Sequence, residues 1–156
     1  ENIIKKNTVI DMIDSTPPMK LSDIKMNSEI RFSTNISEFD RVLGGGIVQG
    51  SLVLIAGGPG IGKSTILLQT SGELCQNNKP VLYVSAEESA SQVKLRAERL
   101  GIKSENLYIY PQTNLELIKK HIESLNPDLV IVDSIQAIYT NTIQSSAGSI
   151  SQIREC

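Results

Sequence analysis

The stretch IAGGPGIGKSTILLQ, residues 55–69, places four glycines and a lysine between an apolar run and a segment with helical spacing. Its central part, GGPGIGKS, matches G-x-x-x-x-G-K-[ST] at every fixed position. Glycines let the backbone turn its N–H groups inward, so a phosphate chain can bind a nest of donors at a helix N-terminus. The stretch therefore predicts a phosphate-binding loop between a strand and a helix.

This loop predicts roles for the side chains at its end. Lys63 supplies a mobile cation for the β and γ phosphates of a triphosphate, and the Ser64 hydroxyl can bind the Mg²⁺ that neutralises them. Thr65 can add a donor near the α phosphate. The predicted nucleotide-binding residues are Gly57, Gly58, Pro59, Gly60, Ile61, Gly62, Lys63, Ser64 and Thr65. The alternative is a glycine-rich turn with an exposed lysine, which the flanking strand and helix patterns disfavour.

Strand and helix patterns alternate through the rest of the chain. We predict strands at residues 52–56, 81–85, 107–110 and 129–132, with helices at 36–43, 63–76, 89–100 and 115–125. Ser89 with Gln92, and Thr113 with Glu116, have capping-box spacing. This order predicts an α/β fold with a mostly parallel sheet flanked by helices.

The polar, weakly periodic residues 1–33 predict a linker or N-terminal extension. Residues 34–156 then form the core. An apolar-periodic segment begins near Ile150 and breaks off at Cys156, so we expect a partial core and a longer protein.

Acidic residues follow two of the predicted strands. LVIVDS, residues 129–134, delivers Asp133 to a strand's carboxyl end, where open α/β sheets place their ligands, and we expect Asp133 to hold Mg²⁺ through water. VLYVSAEES, residues 81–89, brings Glu87 and Glu88 to the same rim. Either could orient an attacking water, but strand alternation lets only one point at the γ phosphate.

The composition excludes several classes of protein. A net charge of −2 with 40% apolar residues is typical of a globular chain, and any contact with nucleic acid would have to be local. No apolar run approaches a membrane span and no signal-peptide region is evident, so we expect a cytoplasmic protein without membrane contact. The two cysteines, Cys75 and Cys156, lack metal-ligand spacing, which argues against a zinc site or a disulfide scaffold.

Five segments closely resemble the RadA (Sms) family of bacterial DNA-repair ATPases, relatives of the RecA recombinase. They are EFDRVLGGGIVQGSLVLIAGGPGIGKSTILLQ, VLYVSAEES, VKLRAERLGI, LVIVDSIQ and SSAGSISQIREC. The resemblance implies a RecA-like P-loop fold and ATP hydrolysis to ADP and phosphate. It also implies action on single-stranded DNA and branched recombination intermediates, hexameric rings and a recombinase partner.

The resemblance also implies roles for individual residues. Glu87 corresponds to the catalytic glutamate, Lys63 and Ser64 to the first Walker motif, and Asp133 to the second. A DNA-facing loop would lie near Ser145, Ser149 and Gln152, although the residues alone suggest a solvated connection. The family's zinc module, its Lys-Asn-Arg-Phe-Gly motif and its Lon-protease-like domain have no counterpart in the 156 residues.

Three hypotheses about function remain open at this point. The first is a RadA-like, DNA-dependent ATPase whose isolated core turns over weakly, because RecA-like sites are completed across a subunit interface. The second is a nucleotide-gated DNA-binding or oligomerisation module with slow hydrolysis. The third is another RecA-superfamily member, such as a clock-protein-like kinase or a helicase.

Overall fold

A computed structural model describes residues 18–23 and 29–156, which contain a three-stranded parallel sheet with helices on both faces. A 3₁₀ turn at Leu21–Asp23 precedes these elements, and another at Ile135–Ala137 follows the last strand. In chain order the strands are β1 (Arg31–Phe32), β2 (Ile47–Val48), β3 (Val81–Ser85), β4 (Leu107–Tyr110) and β5 (Leu129–Asp133). The helices are α1 (Ser37–Val42), α2 (Lys63–Gln76), α3 (Ala90–Arg99), α4 (Leu115–Leu125) and α5 (Ile150–Glu155).

β3 is the central strand of the parallel sheet, which has the order β4-β3-β5. It pairs with β4 from Val81 opposite Leu107, and with β5 as far as Ser85 opposite Asp133. All five residues of β3 are buried, as expected of a parallel strand covered on both faces. The predicted α/β class is confirmed.

Alternate residues of β3 face two separate cores. Val81 and Tyr83 join the core formed with α2 and α3, whose other buried members are Leu68, Leu74, Cys75, Val93 and Ile131. Leu82 and Val84 join the opposite core, with Ile118 of α4 and Ile138. The two-residue period of a strand thus places helices on both faces of the sheet.

Residues 52–56 do not form the predicted strand, and this prediction was wrong. Leu52 is 97% exposed and Leu54 is 79% exposed. A cavity of about 300 Å³ lies between Leu52 and residues 129–130 of β5. Because a strand needs a neighbour for its N–H and C=O groups, this gap leaves the apolar run outside the sheet.

Asn114, rather than Thr113, caps α4. The Asn114 side chain accepts a hydrogen bond from the Leu117 amide at 3.0 Å. Glu116 does not complete a capping box with Thr113; its carboxylate accepts a hydrogen bond from the Thr140 hydroxyl instead. The predicted helix is confirmed, but its cap was assigned one residue too early.

Part of the predicted N-terminal extension is paired with the core. β1 pairs antiparallel with β2, and the Lys79 ammonium lies 4.0 Å from the centre of the Phe32 ring. Residues 1–17 and 24–28 lie outside the described residues, so the division at residue 33 stays a prediction. No helix in the described ranges combines the length and apolar character needed to cross a membrane.

Replacing Gly72 with alanine tests the packing between α2 and the segment after α3. Alanine normally favours a helix by about 1 kcal/mol over glycine. A Cβ at Gly72 would, however, lie 2.9 Å from two side-chain carbons of Ile102. We expect Gly72→Ala to lower the free energy of unfolding by about 1–3 kcal/mol in urea denaturation.

Gln69→Ala, at an exposed position of the same helix, is the matched control and should change stability by less than about 0.5 kcal/mol. In an Ile102→Ala background the loss caused by Gly72→Ala should disappear. A stabilising Gly72→Ala in the unaltered chain would contradict the close contact.

Candidate functional site

The glycine-rich loop before α2 requires its glycines. Gly60 and Gly62 have φ values of +74° and +98°, a region that side chains rarely allow. A Cβ at Gly57 would lie 3.2 Å from the Ile61 side chain. The predicted loop is therefore a tight turn that enters the first turn of α2 directly.

This loop carries unused hydrogen-bond donors. Apart from the turn at residues 59–60, the backbone N–H groups between residues 57 and 65 have no protein acceptor in the described part of the chain. They lie before and in the first turn of a 14-residue helix, whose N-terminus carries a partial positive charge. Free amides at a helix N-terminus can bind an anion such as a phosphate.

Lys63 folds back over the loop that precedes it. Its Nζ donates to the carbonyl oxygens of Gly57 at 2.9 Å and Gly58 at 2.8 Å. The Ser64 and Thr65 hydroxyls, both partly exposed, have no hydrogen-bond partner among the described residues. The cation therefore lies at the loop, and two hydroxyls beside it are unused.

The carboxyl ends of β3 and β5 bring Glu87 and Asp133 close together. Pairing continues past Ser85, because the Ala86 amide donates to the Asp133 carbonyl at 2.8 Å. The next residue, Glu87, is exposed and accepts a hydrogen bond from the Ser134 hydroxyl. Two carboxylates, each at or just after the end of a different strand, therefore lie close together at the carboxyl end of the sheet.

Tyr83 contacts Asp133 from within the core, a role that the sequence pattern did not reveal. Its hydroxyl donates to Asp133 Oδ2 at 2.7 Å, while the residue is 1% exposed. Burial raises the pKa of Tyr83 far above its usual value, and the Asp133 hydrogen bond raises it further. Tyr83 is thus a protonated donor at neutral pH. Strand alternation puts it on the face shared with Ser85, but only the contact identifies its partner.

Glu88 is engaged elsewhere. Its carboxylate forms an ion pair with Arg96 of α3, and its carbonyl accepts from the Ser85 hydroxyl at 2.7 Å. The helix begins just after it with the predicted capping box of Ser89 and Gln92, which is confirmed. The two adjacent glutamates therefore have different partners: Ser134 for the first and Arg96 for the second.

The oxygen donors of the site suit Mg²⁺. Asp133 offers a carboxylate oxygen, Oδ1, that has no partner in the described ranges, and Ser64 offers a free hydroxyl. No group of three or more His, Cys, Asp or Glu side chains that could hold a metal occurs among the described residues. Few protein ligands are expected for Mg²⁺, which usually keeps waters and binds substrate phosphates.

The three residues predicted to face DNA differ in their surroundings. Gln152 is 1% exposed, and its side-chain amide donates to the carbonyls of Thr140 and Ile143, both at 3.2 Å, and of Ser145 at 3.0 Å. The expected DNA contact of Gln152 disagrees with this burial, because its polar atoms are all engaged. Ser149 caps α5, and both Ser145 and Ser149 are partly exposed.

Comparison with known proteins identifies the class. The family model described as "ATPase: KaiC" matches residues 32–115, just over half of the chain. The chain therefore belongs to the KaiC ATPase family. The RecA-like α/β fold expected from the sequence agrees with this assignment and with the parallel sheet.

Within this class, the chain is similar to the DNA repair protein RadA of several bacteria. It is 54% identical to RadA of Listeria monocytogenes over 87% of this chain. The corresponding values are 52% over 89% for Bacillus subtilis and 50% over 92% for Chlamydia muridarum. The chain spans 30–31% of the length of these relatives. The resemblance to the RadA family is confirmed, and the chain corresponds to its ATPase portion.

Gln152→Ala tests whether this side chain is structural. The Thr140 amide also donates to Gln152 Oε1, at 2.9 Å. The substitution would therefore leave this amide and three carbonyls without their partner. We expect the free energy of unfolding to fall by about 1–3 kcal/mol, measured by denaturant titration. Gln144→Ala, at an exposed position nearby, is the control, and equal effects of the two substitutions would contradict a structural role.

Proposed function

We propose that the chain binds ATP with Mg²⁺ and hydrolyses it to ADP and phosphate. We further propose that it does so as the ATPase portion of a RadA-like protein acting on single-stranded DNA and branched recombination intermediates. The observation that carries the proposal is the loop of unused amides that ends at Lys63. The similarity to RadA supports a role in DNA repair.

The nucleotide would bind along residues 57–65. The amides would surround its phosphates, and Lys63 would exchange two carbonyl contacts for the β and γ phosphates. Ser64 and, through water, Asp133 would hold Mg²⁺, which neutralises phosphate charge when bound. Mg²⁺ binds oxygen ligands and usually takes only a few of them from the protein, which supports this assignment.

We assign Glu87 as the acid that orients the attacking water. It is exposed and lies beside Ser134, next to Asp133, whereas the carboxylate of Glu88 is neutralised by Arg96. The contacts therefore favour Glu87 for this role.

The wider setting of the protein is part of the same proposal. We expect a homo-oligomer, a hexameric ring, in which a neighbouring subunit completes the site, and a recombinase as a partner. Ser145 and Ser149 remain the proposed DNA contacts in this chain, whereas Gln152 is omitted. A cytoplasmic location fits a DNA repair role.

A nucleotide-gated module with slow hydrolysis is the second candidate. The contacts of Lys63 with its own loop apply to both candidates, because the cation must leave two carbonyls before it can meet a phosphate in either case. Under this alternative ATP binding would mainly stabilise an oligomer or a DNA complex. The two candidates share one binding site and differ in the rate of turnover.

Nucleotide binding is tested first, with Lys63→Ala. Removing a cation that contacts phosphates costs about 1.5–3 kcal/mol, so we expect the affinity for Mg²⁺·ATP to fall by about 10- to 100-fold in isothermal titration calorimetry. Lys94→Ala, at an exposed position of α3, should leave affinity unchanged. Absence of nucleotide binding by the unaltered chain would refute the proposed function.

The assignment of Glu87 is tested with Glu87→Gln against Glu88→Gln. We expect Glu87→Gln to keep ATP affinity while the single-turnover hydrolysis rate falls by about 10²- to 10⁴-fold. Glu88→Gln should keep most of the rate, since Glu88 is bound to Arg96. Phosphate release is measured with and without single-stranded DNA, and the reverse ranking of the two variants would contradict the assignment.

A further inference from the structure

Tyr83 is buried next to the carboxyl end of β5, which carries Asp133. It belongs to the fully buried central strand and packs in the core that includes Leu68 of α2 and Val93 of α3. Its ring is thus enclosed by two helices and the sheet. The hydroxyl is the one polar group of this side chain, and it reaches Asp133 Oδ2 at 2.7 Å.

This hydrogen bond uses one of the two carboxylate oxygens of Asp133. Oδ2 accepts from Tyr83, whereas Oδ1 has no partner within the described residues. A carboxylate with one oxygen fixed can rotate little about its last torsion. Its remaining oxygen therefore keeps a constant direction, which would fix the position of the water that joins Asp133 to the octahedral shell of Mg²⁺.

We propose that Tyr83 is a positioning residue for magnesium: its buried hydroxyl fixes Asp133 so that the second carboxylate oxygen is presented to the metal of the bound nucleotide. The inference rests on the proposed function, because it assumes a nucleotide-bound Mg²⁺ at Asp133. Residues that orient the groups around a metal ion are typically worth about 10- to 100-fold in metal affinity.

Tyr83→Phe removes the hydroxyl and keeps the ring. The matched control is Tyr110→Phe on β4, whose ring packs against His121 with 4.6 Å between centroids and whose hydroxyl has no partner among the described residues. Binding of N-methylanthraniloyl-ATP is followed by fluorescence on the full 156-residue chain, first in EDTA and then over a Mg²⁺ titration. Far-UV circular dichroism and the thermal midpoint check that each variant is folded.

We expect Tyr83→Phe to bind the nucleotide in EDTA within about twofold of the unaltered chain, while the Mg²⁺ concentration for half-maximal enhancement rises about 10-fold or more. Tyr110→Phe should change neither value. A purely structural role would weaken binding equally with and without metal, which would overturn the inference. An unfolded Tyr83→Phe beside a folded Tyr110→Phe would overturn it as well.

Asp133→Asn supplies a second, independent test. If Tyr83 acts through Asp133, adding Tyr83→Phe to Asp133→Asn should change the Mg²⁺ requirement by less than about twofold, because the two substitutions are coupled. Additive effects would overturn the inference. Its failure is distinguishable from failure of the proposed function: in the first case the unaltered chain still binds nucleotide in a Mg²⁺-dependent way, and in the second it does not.

Discussion

The parallel register between β3 and β5, with Ser85 opposite Asp133, determines how the side chains at the carboxyl end of the sheet lie relative to one another. A slip of one residue would turn Asp133 to the other face of the sheet and separate it from the Tyr83 hydroxyl. The register also extends beyond the last pair through the Ala86 amide, and this bond carries Glu87 to Ser134. One strand pairing thus orders three of the polar side chains that the proposed chemistry uses.

The same face of the sheet supports the glycine-rich loop. Leu68 and Leu74 of α2 pack in the core that contains Tyr83, so the helix that follows the loop lies on the face to which Asp133 points. The apolar spacing of α2 and the alternation of β3 therefore act together. Hydrophobic packing places the helix, and the helix in turn places its own unpaired N-terminal amides.

Sequence patterns predicted the bounds of α2, β3 and β4 and the position of Asp133, because periodicity and turn residues are local signals. They failed where the outcome depends on a partner. Residues 52–56 are apolar enough for a strand, but in the described part of the chain a cavity separates Leu52 from the free side of β5. Asn114 and Thr113 are both good caps, and only the path of the chain decides between them. The Tyr83 contact joins residues 50 positions apart, and the contacts of Gln152 reach 7 to 12 positions back to a loop without regular structure, so no helix or strand pattern contains them.

The apolar run at residues 52–56 also affects the solubility of the protein. Its leucines face solvent, and in the described ranges β5 forms an edge of the sheet with one side unpaired. Unpaired strand edges next to exposed leucines promote aggregation, because they offer other chains both backbone hydrogen bonds and an apolar surface. At high protein concentration this region is where precipitation would start, which makes residues 52–56 the natural place to add a charge for solubility.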